Sequence, residues 1–218
     1  MAYYGTLQPR NTILSFISKM TIQRDGENYD YFNGIVRPVG HVDAGEDFYA
    51  TAKPMENTLK ENDPQFHPLI ENKSFDVKGA DEKIMFKVIT SGIKKRTGFC
   101  WSISHQRQIV RSEDSHLMYG EVKGEGCLCC LPHYTVHTPT AHTYMSLKYK
   151  LRPRLCALPI WCCSQKAPIY DIFHADIRDG VQSIGHVSGE EILFPECALD
   201  QEKVCIIGGQ LLINTNSL

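Results

Sequence analysis

Residues 194–213 read Phe-Pro-Glu-Cys-Ala-Leu-Asp-Gln-Glu-Lys-Val-Cys-Ile-Ile-Gly-Gly-Gln-Leu-Leu-Ile, and their second half is the longest apolar stretch of the chain. One interpretation splits it at Gly208-Gly209 into two short strands joined by a tight turn, which is typical of a hairpin. The other makes Asp200 the N-cap of one helix from Lys203 to Ile213, apolar on nearly every side, as in an enclosed helix. Two internal glycines would cost such a helix about 1 kcal/mol each against alanine, and they would let neighbouring backbone approach closely. The pattern alone leaves both interpretations open.

Two segments of the chain resemble the phospholipid scramblase family, which carries Phe-Pro, Leu-Asp, Lys, Ile-Gly and Leu-Ile near its end. The matching residues here are Phe194, Pro195, Lys203, Ile207, Gly208, Leu212 and Ile213, with the pair Leu199-Asp200 one residue late. Cys130-Leu-Pro-His-Tyr-Thr-Val136 is similar to the family's Cys-Leu-Pro-Lys-Phe-Thr-Ile. The resemblance covers residues 84–213 well and residues 1–80 poorly.

The resemblance implies a mainly β fold: a closed antiparallel barrel of about twelve strands, part of the tubby-like superfamily, around a central hydrophobic C-terminal helix. We therefore adopt the helix, with Lys203, Ile207, Gly208, Leu212 and Ile213 as its marker residues. Residues 1–218 form a single scramblase-like domain in this view.

Alternation of apolar and polar residues predicts individual strands. The clearest case places Met145, Leu147, Tyr149 and Leu151 on one buried face, against the polar residues between them. Residues 84–89 and 101–111 also have strand character. Residues 53–68, with three prolines, are typical of a long loop.

Charge argues against a nucleic-acid partner, because 25 acidic residues outweigh 23 basic ones and a nucleic-acid binder normally has a basic stripe. The short cluster Lys94-Lys95-Arg96 is interpreted as a solvated turn. No signal peptide and no apolar run of the roughly 20 residues needed for a spanning helix is present. These features predict a soluble or peripheral protein.

Nine cysteines without a secretory signal predict free thiols in a reducing compartment. A zinc site would draw on Cys127, Cys130, Cys162 and Cys163, with His133 in reserve, but the spacing fits no standard zinc pattern. Lipidation is the second interpretation, because the resemblance implies S-acylation of a cysteine cluster. That cluster's position here reads Phe99-Cys100-Trp101-Ser102, so substitute sites would be needed. They are Cys127, Cys129, Cys130, Cys162 and Cys163. Buried or unmodified thiols are the third and favoured interpretation.

Calcium is the only cofactor that the resemblance implies, through an acidic loop before Phe194. Here residues 188–193 are Ser-Gly-Glu-Glu-Ile-Leu, so that loop is largely missing. The acidic residues that could form a remnant are Glu190, Glu191, Glu196 and Asp200, and a solvated acidic turn is the favoured alternative. Nine histidines form no nucleophile motif, so no catalytic residue is assigned and an enzyme is not expected.

The sequence thus yields two functional hypotheses. The first is a scramblase-like protein that moves phospholipids across a membrane without an energy source, at the cytoplasmic face of the plasma membrane. The second is a tubby-like module that binds a lipid headgroup or a protein partner without transport, and that stays cytoplasmic if it is not lipidated. The depleted cysteine cluster, the missing acidic loop and the polar segment Asn214-Thr-Asn-Ser-Leu218 favour the second.

Overall fold

The computed structural model describes residue 14 and residues 17–24, 30–36, 47–55, 73–97, 101–112, 117–127, 132–140, 145–154, 168–176 and 182–216. These residues form twelve strands and one helix. They are β1 (Ile17–Arg24), β2 (Asp30–Val36), β3 (Asp47–Met55), β4 (Lys73–Gly79), β5 (Ile84–Thr97), β6 (Trp101–Ser112), β7 (Met118–Cys127), β8 (His133–Pro139), β9 (Met145–Pro153), β10 (Tyr170–His174), β11 (Gly185–Val187), β12 (Glu191–Leu193) and α1 (Asp200–Asn216).

The strands form one closed barrel in which consecutive strands are neighbours and β12 returns to pair with β1. Every neighbouring pair is antiparallel; β1 and β12, for example, pair Met20 with Ile192. The predicted fold class, a closed barrel of about twelve antiparallel strands with a C-terminal helix, is therefore confirmed. Closure also leaves the described sheet without an unpaired edge strand.

The barrel has two ends, which we name by what lies there. Because neighbouring strands alternate in direction, odd-numbered strands begin and even-numbered strands end at the same end. α1 begins there too, since the Lys203 side chain reaches the backbone at Ile17, the first residue of β1. We call this the helix end, and the opposite end, where β5 turns into β6, the hairpin end.

α1 fills the interior, and residues 202–213 are buried on every side. This excludes the alternative of a hairpin split at Gly208-Gly209. The helix begins three residues earlier than predicted: the Leu199 carbonyl accepts hydrogen bonds from the amides of Glu202 and Lys203, both at 2.9 Å. The Glu202 carboxylate in turn accepts the Leu199 amide at 3.1 Å. Leu199 thus occupies the capping position predicted for Asp200, and Asp200 is the first helical residue.

Inward-facing side chains from all parts of the barrel make up one core around α1, including Met20, Phe32, Val88, Val136 and Ile172. Two tyrosines on β8 and β10, Tyr134 and Tyr170, meet inside it edge to face with ring centroids 5.3 Å apart. Burial and the neighbouring Tyr134 raise the pKa of Tyr170 well above its usual value. Aromatic pairs of this kind add to the energy of area burial.

The alternation predicted for β9 holds for only half of the strand. Val136 pairs with Tyr149, but His137 pairs with Leu147, so Lys148 forms a bulge. One extra residue moves every side chain beyond it to the other face. Tyr149 and Leu151 are buried as predicted, whereas Leu147 is 37% exposed.

Two further predictions are corrected by the strand bounds. Lys94, Lys95 and Arg96 lie inside β5, paired with Ser104, Ile103 and Ser102 of β6, and not in a turn. The predicted loop at 53–68 begins inside β3, which continues to Met55, and its residues 56–68 lie outside the described residues. The N-terminal region, which the sequence left almost unassigned, supplies β1 and β2.

Candidate functional site

A cluster of polar side chains marks the helix end, where α1 enters the barrel. Tyr149 donates a hydrogen bond to the Glu202 carboxylate at 2.7 Å. Burial and this hydrogen bond raise the pKa of Tyr149, so its hydroxyl stays protonated. Because Glu202 also accepts the Leu199 amide, one buried carboxylate both caps α1 and ties it to β9.

Lys203 occupies the other side of the same helical turn. Its ammonium group donates to the carbonyl oxygens of Leu14 at 2.9 Å and Ile17 at 2.7 Å, and lies 5.8 Å from the ring centre of Phe194. Burial lowers the pKa of Lys203, while Asp200 partly opposes this shift. Lys203 therefore anchors the start of β1 to α1, which is a structural explanation for this marker residue.

The other helix markers, Ile207, Leu212 and Ile213, are apolar core residues with at most 2% exposure. Gly208 lies in the same buried turn. Next to it, the atoms nearest to a Cβ built on Gly209 belong to the side chains of Val122 and Leu151, at 3.6 and 3.8 Å. The expected close approach of neighbouring backbone is thus absent at Gly209 and occurs instead in β7. There a Cβ on Gly120 would lie 2.5 Å from the Cys205 sulfur.

The four acidic residues of the calcium hypothesis are divided between two places. Glu190 lies in the turn between β11 and β12 and Glu191 is the first residue of β12, whereas Glu196 and Asp200 follow the end of β12. The rest of β12 and the pair Phe194-Pro195 separate Glu191 from Glu196 along the chain. Within the described ranges, no group of three or more His, Cys, Asp and Glu side chains could hold a metal ion.

Glu191 has protein partners for both carboxylate oxygens. It binds the Lys19 ammonium group on one side and accepts a 2.7 Å hydrogen bond from His186 on the other. The hydrogen bonds from Lys19 and then His186 lower the pKa of Glu191. Glu190 is exposed, and its amide, like that of Glu191, is bound by the Ser188 hydroxyl.

The candidate lipidation residues fall almost wholly outside the described residues. Cys129, Cys130, Cys162 and Cys163 lie there, and so does Cys100. Cys127 is the last residue of β7. Because β7 and β9 end, and β8 and β10 begin, at the hairpin end, both connections that contain these cysteines join strands at that end. The zinc hypothesis, which shares these residues, stays a prediction.

Two cysteines have described side chains, and both are free thiols. Cys205 is fully buried, which raises its pKa. Cys197 is exposed in the segment that joins β12 to α1. No sequence pattern singles out Cys197. None indicates the contact of Tyr149 with Glu202 either, because those partners are 53 residues apart.

Comparison of the chain with protein-family models, curated proteins and solved structures found no match. Among the described residues, no helix has the length and apolar character needed to cross a membrane.

Proposed function

We propose that this protein is a divergent phospholipid scramblase-like protein that speeds the movement of phospholipids between the two leaflets of a membrane. One observation carries the proposal: the barrel of twelve strands closed around a C-terminal helix is the fold that the sequence resemblance implies. The helix positions that resemble the family, Lys203, Ile207, Leu212 and Ile213, all lie inside that barrel.

Such an activity needs no nucleotide and no catalytic group. The barrier to lipid movement is the cost of moving a polar headgroup through hydrocarbon, several kcal/mol for each unpaired polar group. Because α1 occupies the barrel axis, we propose that headgroups move along the outer surface and not through the interior. The membrane partner would be the cytoplasmic face of the plasma membrane.

A second function, binding without transport, is favoured by a specific observation. Lys19 and His186 already bind the Glu191 carboxylate. Glu190 lies in the turn before β12, and Glu196 and Asp200 follow the end of β12, so these four residues do not form a preformed set of oxygen ligands for calcium. A tubby-like module of this kind would bind a lipid headgroup or a protein partner.

Reconstitution into liposomes with a fluorescent phospholipid distinguishes the two functions. We expect an added quencher that cannot cross the bilayer to remove about half of the fluorescence from empty liposomes and nearly all of it from liposomes with active protein. The matched control is Ile207→Asp, which should unfold the protein and so abolish lipid movement. An unpaired buried charge costs several kcal/mol against a total stability of about 5 to 15 kcal/mol.

Calcium forms a second arm of the experiment. A site with so few oxygen ligands should bind calcium in the millimolar range or more weakly, so micromolar calcium should change neither the flip rate nor the melting temperature. Membrane binding without lipid movement would favour the binding module. Absence of both would contradict the scramblase proposal and leave the binding module only with a protein partner.

A further inference from the structure

The charge of the chain is unevenly distributed, and one hairpin holds the excess of cations. Residues 84–112, which comprise β5, β6 and their connection, contain no Asp or Glu. They contain six of the 23 basic residues, Lys87, Lys94, Lys95, Arg96, Arg107 and Arg111. The remaining residues hold 17 basic against all 25 acidic residues, a net charge of −8, so the hairpin and the rest of the chain have opposite charge.

Three of these cations lie at the far end of the hairpin. Lys94, Lys95 and Arg96 are consecutive in β5, and Arg96 pairs with Ser102 of β6. The described pairing of β5 with β4 ends at Thr90, and that of β6 with β7 ends at Ile103. The seven residues from Ser91 to Thr97 therefore extend about 23 Å past the last described pair of β4 with β5. We call residues 94–97 with Trp101 and Ser102 the hairpin tip.

Trp101 pairs with Thr97 and stands one register step from Arg96. Tryptophan beside lysine and arginine is the combination found at the boundary between lipid headgroups and hydrocarbon. In such combinations an aromatic ring generally sits at headgroup level, and each cation near an anionic membrane surface contributes about 1 kcal/mol.

We infer that the hairpin tip binds the surface of a membrane that contains anionic phospholipids. Contact through the tip suits this charge distribution, because a membrane that meets the tip faces three consecutive cations on a hairpin that contains no Asp or Glu. A long nucleic acid would need a basic stripe with many phosphate contacts and would run past acidic surface. The inference shares with the proposed function only the location at a membrane, and it does not require lipid movement.

The test is co-sedimentation of the full chain with vesicles of phosphatidylcholine, with or without phosphatidylserine, at physiological ionic strength. Replacing Lys94, Lys95 and Arg96 together by Gln removes three tip cations and keeps side chains of similar length. At about fivefold for each cation, we expect partitioning onto phosphatidylserine vesicles to fall about a hundredfold. Raised ionic strength should reduce wild-type binding in the same direction.

The matched control removes the same charge from the helix end. Lys78 and Lys83 flank the turn between β4 and β5, at the opposite end of β5 from the tip, and Lys148 is the bulge residue near the start of β9. Lys78→Gln with Lys83→Gln and Lys148→Gln should leave partitioning within about twofold of wild type if position and not net charge matters. Equal melting temperatures of the two triple variants would show that both are folded.

A spectroscopic measurement tests the contact itself. The chain has two tryptophans, so Trp161→Phe leaves Trp101 as the only one. Its fluorescence should shift to shorter wavelength when phosphatidylserine vesicles are added, because the ring moves into a less polar environment. No shift at saturating vesicle concentration would overturn the inference.

Three other results would also overturn it. Equal binding to both vesicle types would show that anionic lipid is not recognised. Loss of binding in Leu199→Ser with normal binding in the tip variant would place the contact at the helix end, where Leu199 is 66% exposed. Tighter binding of a single-stranded oligonucleotide that displaces the vesicles would assign the tip to nucleic acid. Tip-dependent binding without lipid movement would support this inference while contradicting the scramblase proposal.

Discussion

The Gln210 side chain lies in the barrel core, fully buried, and neither its oxygen nor its nitrogen has a hydrogen-bond partner. It follows Lys203 by seven residues, which is two helical turns, so both side chains project from the same side of α1. Lys203 finds carbonyl partners at the edge of the barrel, whereas Gln210 is deeper. A buried amide without partners costs about 1 to 3 kcal/mol.

Replacing Gln210 by Leu should therefore raise the free energy of unfolding by about 1 to 3 kcal/mol, because an apolar side chain of similar size removes the unpaired groups. Denaturant unfolding measures the change. Gln201→Leu is the control: the Gln201 amide donates to the Tyr119 carbonyl at 2.6 Å, so the same substitution there should be destabilising. Destabilisation by Gln210→Leu would indicate that a buried water or another molecule satisfies the amide.

Gly120, which packs against α1, and Gly209, which lies within α1, should respond oppositely to alanine. A methyl group on Gly120 would collide with the Cys205 sulfur and the His137 carbonyl, so Gly120→Ala should lower the stability by about 3 kcal/mol. Gly209 has ordinary contact distances, and alanine there should raise the stability by up to about 1 kcal/mol through helix propensity. Thermal unfolding of both variants is the measurement, and a stable Gly120→Ala variant would contradict the packing of α1 on β7.

For single residues, the sequence indicated which ones are apolar or polar but not which residues they contact. Ile207, Leu212 and Ile213 could be assigned to a core because their apolar run is so long. Gln210 was visible as the polar residue in that run, but its lack of partners depends on which strands face it. The contact of Tyr149 with Glu202 depends on tertiary structure alone.

At the scale of elements, the short strands β11 and β12 close the barrel against β1, and one ionic network crosses all three. Glu191 on β12 binds Lys19 on β1 and His186 on β11. The two strands contribute three residues each, so few backbone hydrogen bonds hold this junction.

This network predicts a dependence of stability on acid pH. Lys19 and His186 lower the pKa of Glu191 in the folded protein from an ordinary value of 4.5. The stabilisation is therefore complete above that ordinary value and is lost as pH falls through the lower folded-state pKa. Melting temperatures should show wild type more stable than Glu191→Gln at neutral pH, with the difference shrinking below about pH 4.5.

Glu190→Gln serves as the control, since it removes an exposed carboxylate from the same turn without touching Lys19 or His186. A difference between wild type and Glu191→Gln that persists at low pH would show that the carboxylate is not held by these two groups.

Elements were predictable where one pattern ran without interruption. The strand at 84–89 was recognised from its β-branched and aromatic content and the strand at 101–111 from its alternation, although β5 continues to Thr97. The alternation predicted for β9 was right for only half of the strand, because no sequence signal marked the bulge at Lys148. The C-terminal segment was ambiguous between hairpin and helix, since Gly-Gly fits a turn as well as it fits a crowded helix.

At the scale of the whole molecule, the number of strands and the closure of the barrel came from resemblance and not from periodicity. Alternation indicates only that one face of a strand is exposed to solvent and the other is buried. Closure depends on β1 pairing with β12, and no local pattern encodes a contact between Met20 and Ile192. The absence of Asp and Glu from residues 84–112 can be read from the sequence. That Lys94–Arg96 lie at a hairpin tip follows only from the register of β5 with β6.

The position of α1 after all twelve strands has a consequence for how the protein is made. A ribosome adds about 5 to 20 residues per second, so roughly 9 to 35 seconds separate the emergence of Ile17 from that of Leu193. During this time β1 lacks its second neighbour, and the apolar faces of the strands have no helix to cover them. The nascent chain therefore exposes apolar strand faces and unpaired edges of the kind that favour aggregation, and the core can close around α1 only after the helix has left the ribosome.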